Sequence, residues 1–172
     1  MRRPGRRDCG GESNLKRQMA IKRILVPIDF SPDSTNALAY ARDLAKQFDA
    51  ELLLLHVIEP IHFITESDVY AHQRHLSATQ MESIGLDLRE EGRRFRTMVK
   101  GGIPSSVIVD TAKSAKADLI VIGTHGRTGL AHMWIGSVAE KVVRAASCPV
   151  LTVRRAGGKK TKPKATRRRR RP

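Results

Sequence analysis

Three glycines and a serine with a fixed spacing are the residues of this chain best suited to binding an anion. Gly123-Thr124-His125-Gly126 follows the apolar run at residues 117–122, and Gly136-Ser137 follows after nine intervening residues. Glycine lets the main chain take positive φ and lets an anion approach backbone N–H groups with no Cβ in between. Ser137 opens a predicted helix, whose first N–H groups attract phosphate. Residues 123–137, the glycine loop, therefore predict a phosphate site between a buried strand and a helix.

Two side chains within the glycine loop could add chemistry to it. Arg127 could pair with a phosphate oxygen, and the alternative is a solvated loop arginine. His125 could act as a general base only if a carboxylate oriented it, and no neighbour in the sequence supplies one. The chain has no G-x(4)-G-K-[ST] motif and no pair of Mg²⁺-binding carboxylates beside the loop. We therefore predict no catalytic residue.

Alternating strand and helix patterns surround the glycine loop. Apolar runs predict strands, and an amphipathic helix should begin at Pro32 with Ser31 as its N-cap and Asp33 facing the helix dipole. Strands that alternate with helices predict an α/β domain with a parallel sheet, although composition alone does not order the strands. The predicted strands cover residues 21–29, 51–58, 96–100, 117–122 and 150–153, and the predicted helices cover 32–48, 68–93, 104–116 and 137–146.

The spacing G-x(2)-G-x(9)-G-[ST] resembles that of the universal stress protein family. Ile24-Leu25-Val26-Pro27-Ile28-Asp29 and the segment at residues 146–153 carry the same resemblance, which runs from about residue 21 to 154. It implies a Rossmann-like open five-stranded parallel sheet of order 3-2-1-4-5, with helices on both faces. The chain then reverses direction between the first and fourth strands, where open α/β sheets bind ligands. Pro27 and Asp29 should lie there beside Gly123.

The resemblance also implies a ligand and a role for each site residue. The ligand is ATP, with or without Mg²⁺, and ADP and AMP stay open. Asp29 should contact the nucleoside and the Val57 backbone the adenine, while Gly123, Gly126, Gly136 and Ser137 hold the phosphates. The alternatives are helix capping for Asp29 and Ser137 and core packing for Val57. The implied function is that of a regulatory stress-response protein with little or no hydrolysis, and slow ATPase activity stays open.

The charge of the chain is concentrated in its two ends. The formal net charge is +15 over 172 residues, and it divides into +4 for residues 1–20, zero for 21–153 and +11 for 154–172. We predict a disordered basic leader (1–20), a nucleotide-binding domain (21–153) and a disordered basic tail (154–172). Met19 is an alternative start to Met1. The rival function is a module that binds nucleic acid or another polyanion through these basic ends.

Composition also bounds the location and assembly of the protein. Cys9 and Cys148 have no metal or redox spacing, and no run of about 18 apolar residues occurs. We predict a cytoplasmic protein that does not span a membrane. The family resemblance implies that the fifth strand, Val150 to Val153, lies at the sheet edge and pairs with its twin. We therefore predict a homodimer through this strand.

Overall fold

The computed structural model describes residues 21–59, 67–125 and 135–154. The predicted leader and most of the predicted tail lie outside these residues, as do Gly126 and Arg127 of the glycine loop. Nine elements follow in chain order: β1 (Arg23–Pro27), α1 (Pro32–Phe48), β2 (Glu51–Ile58), α2 (Ser67–Glu90), β3 (Phe95–Gly101), α3 (Pro104–Ser114), β4 (Leu119–Gly123), α4 (Ser137–Ala145) and β5 (Val150–Val153).

The five strands form one sheet with the order β3-β2-β1-β4-β5. Every neighbouring pair is parallel, from β3 on β2 at one side to β4 on β5 at the other. The predicted fold class, a Rossmann-like open parallel sheet of order 3-2-1-4-5, is confirmed. Because β1 and β4 are neighbours, the chain reverses direction across the sheet between these two strands.

Side chains of the central strands alternate between two apolar layers, because successive residues of a strand point to opposite faces. In β1, Ile24 and Val26 join the layer under α1 and α2, whereas Leu25 joins the layer under α3 and α4. The helices add Ala41 and Met81 to the first layer and, with others, Ile108 and Val142 to the second. Burial on both faces explains why β1, β2 and β4 are almost wholly apolar in the sequence.

Helix α1 begins as the sequence predicts. Ser31 is its N-cap, and the Ser31 hydroxyl accepts a hydrogen bond from the Ser34 N–H at 3.2 Å. Pro32 takes the first helical position, where its missing N–H removes no hydrogen bond. This capping fixes the point at which the chain leaves β1 and turns back over the sheet.

Several predicted boundaries differ from those of the structure, and two of the differences have identifiable reasons. Helix α2 ends at Glu90 rather than Arg93, because Gly92 takes a left-handed φ of 68° and the Arg93 N–H returns to the Leu88 carbonyl. Strand β4 begins at Leu119 rather than 117. The Asp118 carboxylate accepts the N–H groups of residues 22 and 23, at 2.8 and 2.9 Å, and so ties the entry of β4 to that of β1.

In the part of the chain that the structure describes, no helix is both long and apolar enough to cross a membrane.

Candidate functional site

The glycine loop leaves the sheet where the direction of the chain reverses. It starts at the carboxyl end of β4, which lies beside β1, and the chain returns to the described structure at Ile135. The Gly136 N–H donates to the Thr124 carbonyl at 2.6 Å, and the Thr124 N–H donates to the Val153 carbonyl of β5 at 3.0 Å. The two ends of the loop are therefore held together at the carboxyl edge of the sheet, where ligands of open α/β folds bind.

Helix α4 presents its N-terminus at this edge. Its N-cap is Gly136, with φ −71° and ψ 154°, which has no side chain to accept from the first N–H groups of the helix. Ser137 is the first helical residue and is exposed, so the alternative that Ser137 is the N-cap is wrong. The one acidic residue of the first turn, Glu140, pairs with Arg144 at 3.0 Å. The N–H groups at the start of α4 are thus suited to an external acceptor.

The two described glycines of the loop with an assigned role, Gly123 and Gly136, do not take the positive φ that glycine permits. The described glycines with positive φ are Gly92 and Gly102. A Cβ on Gly123 would lie 2.8 Å from the main-chain carbon of Asp33 and 2.9 Å from its oxygen. A Cβ on Gly136 would lie 3.1 Å from the Thr124 oxygen. Glycine is therefore needed at Gly123 by the packing of α1 against β4, and it eases the closure of the loop at Gly136.

Asp29 lies in the turn between β1 and α1. Its Oδ1 accepts a hydrogen bond from the Ser31 hydroxyl at 2.6 Å and from the Ser31 N–H at 3.0 Å. The carboxylate thus orients the N-cap residue of α1, which is close to the capping role considered as its alternative. Its second oxygen, Oδ2, takes no part in these two bonds. Contact with a nucleoside stays a prediction for Asp29.

A buried histidine supports the turn that carries Asp29. Phe30 has a left-handed φ of 63°, and its ring packs against the ring of His56 with centroids 4.6 Å apart. His56 is 4% exposed, and its Nδ1 lies 2.7 Å from the Ile28 carbonyl oxygen. A carbonyl only accepts, so Nδ1 carries the proton in this bond. This role was not predicted from the sequence, in which the one signal is a histidine within the apolar run of β2.

Asp33 reaches from the first turn of α1 to the glycine loop. Its Oδ2 accepts the main-chain N–H of His125 at 3.1 Å and lies 3.3 Å from Nδ1 of the same histidine. The expectation that no carboxylate orients His125 is therefore wrong. The Thr124 hydroxyl approaches the same Nδ1, at 3.1 Å. A serine-protease-like relay needs the hydroxyl and the carboxylate on different ring nitrogens, so these contacts are not such a relay.

Pro27 and Val57 mark the carboxyl ends of two central strands. Pro27 is the buried last residue of β1 and lies opposite Leu55. Val57 lies opposite Lys100, is half-buried and packs against the apolar layer under α3 and α4. The packing alternative therefore describes the Val57 side chain. The predicted approach of adenine to the Val57 backbone remains untested.

An open groove of about 760 Å³ lies at the opposite end of the strands, around the starts of β2 and β3. Four arginines line it, and all four have partners; Arg93 Nε lies 4.0 Å from Glu91 Oε2. Arg96 makes two bonds to Glu51, at 2.8 and 3.0 Å, and Arg94 pairs with Asp49 at 3.0 Å. Arg89 lies over the Phe95 ring, at 6.0 Å. We interpret these contacts as stabilising the edge of the sheet.

Within the described ranges, no group of three His, Cys, Asp or Glu residues could hold a metal ion.

The sequence profile of the universal stress protein family matches residues 20–154. This chain belongs to the universal stress protein family. A universal stress protein of Methanocaldococcus jannaschii is 34% identical over 143 residues, covering 78% of this chain and 82% of that protein. A second protein of the same archaeon has a solved structure that is 30% identical, with a TM-score of 0.76 over 81% of this chain and all of that one.

The same fold occurs in a family member solved with a ligand. The universal stress protein of Archaeoglobus fulgidus, in complex with dAMP, has a TM-score of 0.58 over 78% of this chain and 99% of that one. It is 22% identical to this chain, so the likeness concerns the fold alone.

Proposed function

We propose that this universal stress protein binds ATP as a regulatory ligand, with the phosphates against the glycine loop and the start of α4. The observation that carries the proposal is the position of α4. Its N-terminus, capped by a glycine with no side chain, lies next to the end of β4 through the 2.6 Å bond from the Gly136 N–H to the Thr124 carbonyl. Helix N-termini attract anions through their N–H groups and their dipole.

The start of α1 lies close by but is not suited to a phosphate. Its N–H groups are partly used by the Ser31 hydroxyl, and the Asp33 carboxylate adds a negative charge to its first turn. At α4 the first-turn carboxylate, Glu140, is paired with Arg144. The contrast between the two helix starts favours α4 as the one that accepts the triphosphate.

The nucleoside would occupy the sheet edge from β4 toward β2. The proposal assigns it to the Asp29 carboxylate, with Pro27 and the Val57 backbone beside it. Gly126 and Arg127 stay part of the proposed phosphate contacts, although both lie outside the described residues. In the protein from Archaeoglobus fulgidus this fold accommodates an adenine nucleotide.

The proposal needs no Mg²⁺ site on the protein. Among the described residues, the carboxylate that contacts the loop is that of Asp33, whose Oδ2 accepts the His125 N–H. Any Mg²⁺ that accompanies ATP would be held through the phosphates. We also propose little or no hydrolysis. The Asp33 carboxylate and the Thr124 hydroxyl both approach Nδ1 of His125, so these two contacts do not form a relay that would activate a water.

The variant Ser137→Glu tests the phosphate end directly. A carboxylate at the first position of a helix interacts favourably with the helix dipole, so α4 should stay folded. The same charge should repel the phosphates and weaken ATP binding by at least about tenfold. Isothermal titration calorimetry with nucleotide-stripped protein would measure ATP, ADP and AMP in turn. We expect the loss for ATP to exceed that for AMP, because ATP carries more negative charge.

Ser106→Glu is the matched control. Ser106 is also an exposed serine in the first turn of a helix, α3, which follows the edge strand β3. This variant should bind ATP as the wild type does. If wild-type protein shows no heat of binding at millimolar ATP, or if the two glutamate variants bind equally, the proposed site is wrong.

A further inference from the structure

We infer that Asp33 is a positioning residue for the glycine loop: its carboxylate fixes the main chain at Thr124 and His125 so that the loop meets the start of α4. The inference rests on the proposed function for its link to ATP, but its effect on the loop itself can be measured without a ligand.

The contacts of Asp33 cross between elements that are far apart in sequence. Its Oδ2 accepts the His125 N–H at 3.1 Å, lies 3.3 Å from the His125 ring nitrogen Nδ1, and lies 3.5 Å from the Thr124 hydroxyl. The side chains of Asp33 and His125 are 15% and 16% exposed. An acidic residue in the first turn of a helix ordinarily serves its own helix. Here the carboxylate is directed to the end of β4 instead.

Thr124 is the point at which these contacts converge. Its N–H donates to Val153 of β5, its carbonyl accepts the Gly136 N–H, and its neighbour His125 donates to Asp33. The main chain is therefore held by three different elements within two residues. Because the Gly136 bond sets where α4 begins, a shift of His125 away from Asp33 would also shift the N–H groups proposed to hold phosphate.

The main chain of α1 is fitted to the same place. Gly123 packs so closely on Asp33 that a Cβ there would lie 2.8 Å from the Asp33 main-chain carbon. The Ser31 cap fixes the first turn of α1 and with it the Asp33 side chain. The carboxylate is thus rigidly mounted on the scaffold, which is what a residue needs in order to position a loop.

The variant Asp33→Asn distinguishes the effect of the hydrogen bond to His125 from the effect of the negative charge. The asparagine amide oxygen can accept the His125 N–H, as the carboxylate does, but it carries no negative charge. If Asp33 acts through this bond, Asp33→Asn should keep the loop in place and Asp33→Ala should release it. The charge itself should not help ATP, because it lies next to a site proposed for phosphates.

Two measurements on three variants test the inference. The first is amide hydrogen exchange, by mass spectrometry, of the ligand-free protein in peptides covering residues 119–125 and, as an internal reference, residues 51–58. The second is ATP affinity by calorimetry. For Asp33→Ala we expect at least about tenfold faster exchange in residues 119–125 and at least about tenfold weaker ATP binding. Asp33→Asn should stay within about threefold of the wild type in both. Asp43→Ala removes an exposed carboxylate from the same helix and should change neither.

The possible outcomes separate this inference from the proposed function. Three results would each overturn the inference. The first is an unchanged exchange rate in residues 119–125 of Asp33→Ala, and the second is an equal loss of ATP affinity in Asp33→Ala and Asp33→Asn. The third is exchange that is accelerated equally in residues 119–125 and 51–58. If the wild type does not bind ATP, the proposed function fails. Amide exchange that is faster in residues 119–125 but not in 51–58 of Asp33→Ala, and unchanged in Asp33→Asn, would then still support the positioning role.

Discussion

Phe30 occupies a backbone conformation that bulky residues rarely adopt. Its φ of 63° lies in the left-handed region, which costs a non-glycine residue about 1–2 kcal/mol. The surroundings of the turn offset this cost: the Phe30 ring packs on His56, and His56 donates to the Ile28 carbonyl immediately before Asp29. The position of Asp29 is therefore set by side chains of β2 as well as by its own turn.

We predict that His56→Leu destabilises the domain by about 1–3 kcal/mol, because it leaves the Ile28 carbonyl without its buried donor. Urea unfolding followed by circular dichroism would measure the change. His56→Asn keeps a side-chain N–H donor and should recover part of the loss. His72→Leu, on the exposed surface of α2, should stay within about 0.5 kcal/mol of the wild type. A His56→Leu midpoint equal to that of the wild type would show that the hydrogen bond is not needed.

Residues that act locally could be predicted from the sequence. Ser31 and Pro32 were recognised because an N-cap and a first-turn proline act on residues three or four positions away. Asp33 was assigned only to its own helix dipole, since nothing in the sequence links it to His125, 92 positions later. The glycines illustrate a second limit. Glycine is needed at Gly123 if the main chain packs closely on Asp33, and it is equally needed if the main chain must approach a phosphate. The spacing of the glycines alone does not distinguish these two reasons.

At the scale of elements, apolar content predicted the strands that are buried on both faces. Strand β2 has the predicted bounds, and β1 and β4 differ from theirs only at the ends. The order of the strands was not derivable from composition, because β1, β2 and β4 are similarly apolar, and it came from the family resemblance. That order places β3 and β5 at the edges. Each edge strand therefore has one side on which no strand of the described sheet pairs.

Strand β5 is the edge for which we predict a partner. The described structure pairs it with β4 alone, and Leu151 in its centre is 38% exposed. Short apolar edge strands are prone to pair with another chain. We predict a two-fold homodimer in which two copies of β5 run antiparallel, giving a dimer mass by sedimentation at about 10 µM, well above the Kd of an ordinary stable dimer.

Leu151→Lys should convert this dimer to a monomer, because a lysine on an edge strand opposes pairing with another strand. Leu86→Lys places the same charge at a leucine of α2 that is 50% exposed, and it should leave the dimer intact. A wild type that sediments as a monomer would contradict the predicted assembly. A Leu151→Lys variant that remains dimeric would place the interface elsewhere.

The whole molecule divides into a neutral domain and two basic ends. Residues 21–153 have no net charge, whereas residues 154–172 carry eleven positive side chains and no negative one. Within the described domain, many arginines are paired with carboxylates, as Arg42 is with Glu91 and Arg96 with Glu51. Attraction to polyanions should therefore come from the ends, and the nucleotide affinity of the domain should depend little on them.

We predict that the basic tail binds nucleic acid without regard to sequence. Its lysines and arginines are not interleaved with aromatic residues, which favours contacts to phosphates over stacking on bases. Each neutralised phosphate releases counterions, so the affinity for duplex DNA should fall steeply with salt, with a log–log slope of about −0.9 for each phosphate contacted. A chain that ends at Arg155 should lose at least about tenfold in affinity at 0.1 M salt and most of this slope.

Two controls test whether DNA binding depends on the charge of the basic tail, rather than on the order of its residues or on the domain. A full-length chain whose residues 156–172 are shuffled should bind as the natural sequence does, because phosphate contacts do not depend on the order of the basic residues. ATP affinity, measured on the same proteins, should be unchanged in the shortened chain apart from a screened long-range term. If the chain that ends at Arg155 binds DNA with the affinity and salt slope of the full chain, the basic tail is not the polyanion-binding element. Binding would then have to come from the domain, where the open groove lined by Arg89, Arg93, Arg94 and Arg96 is the described surface to test next.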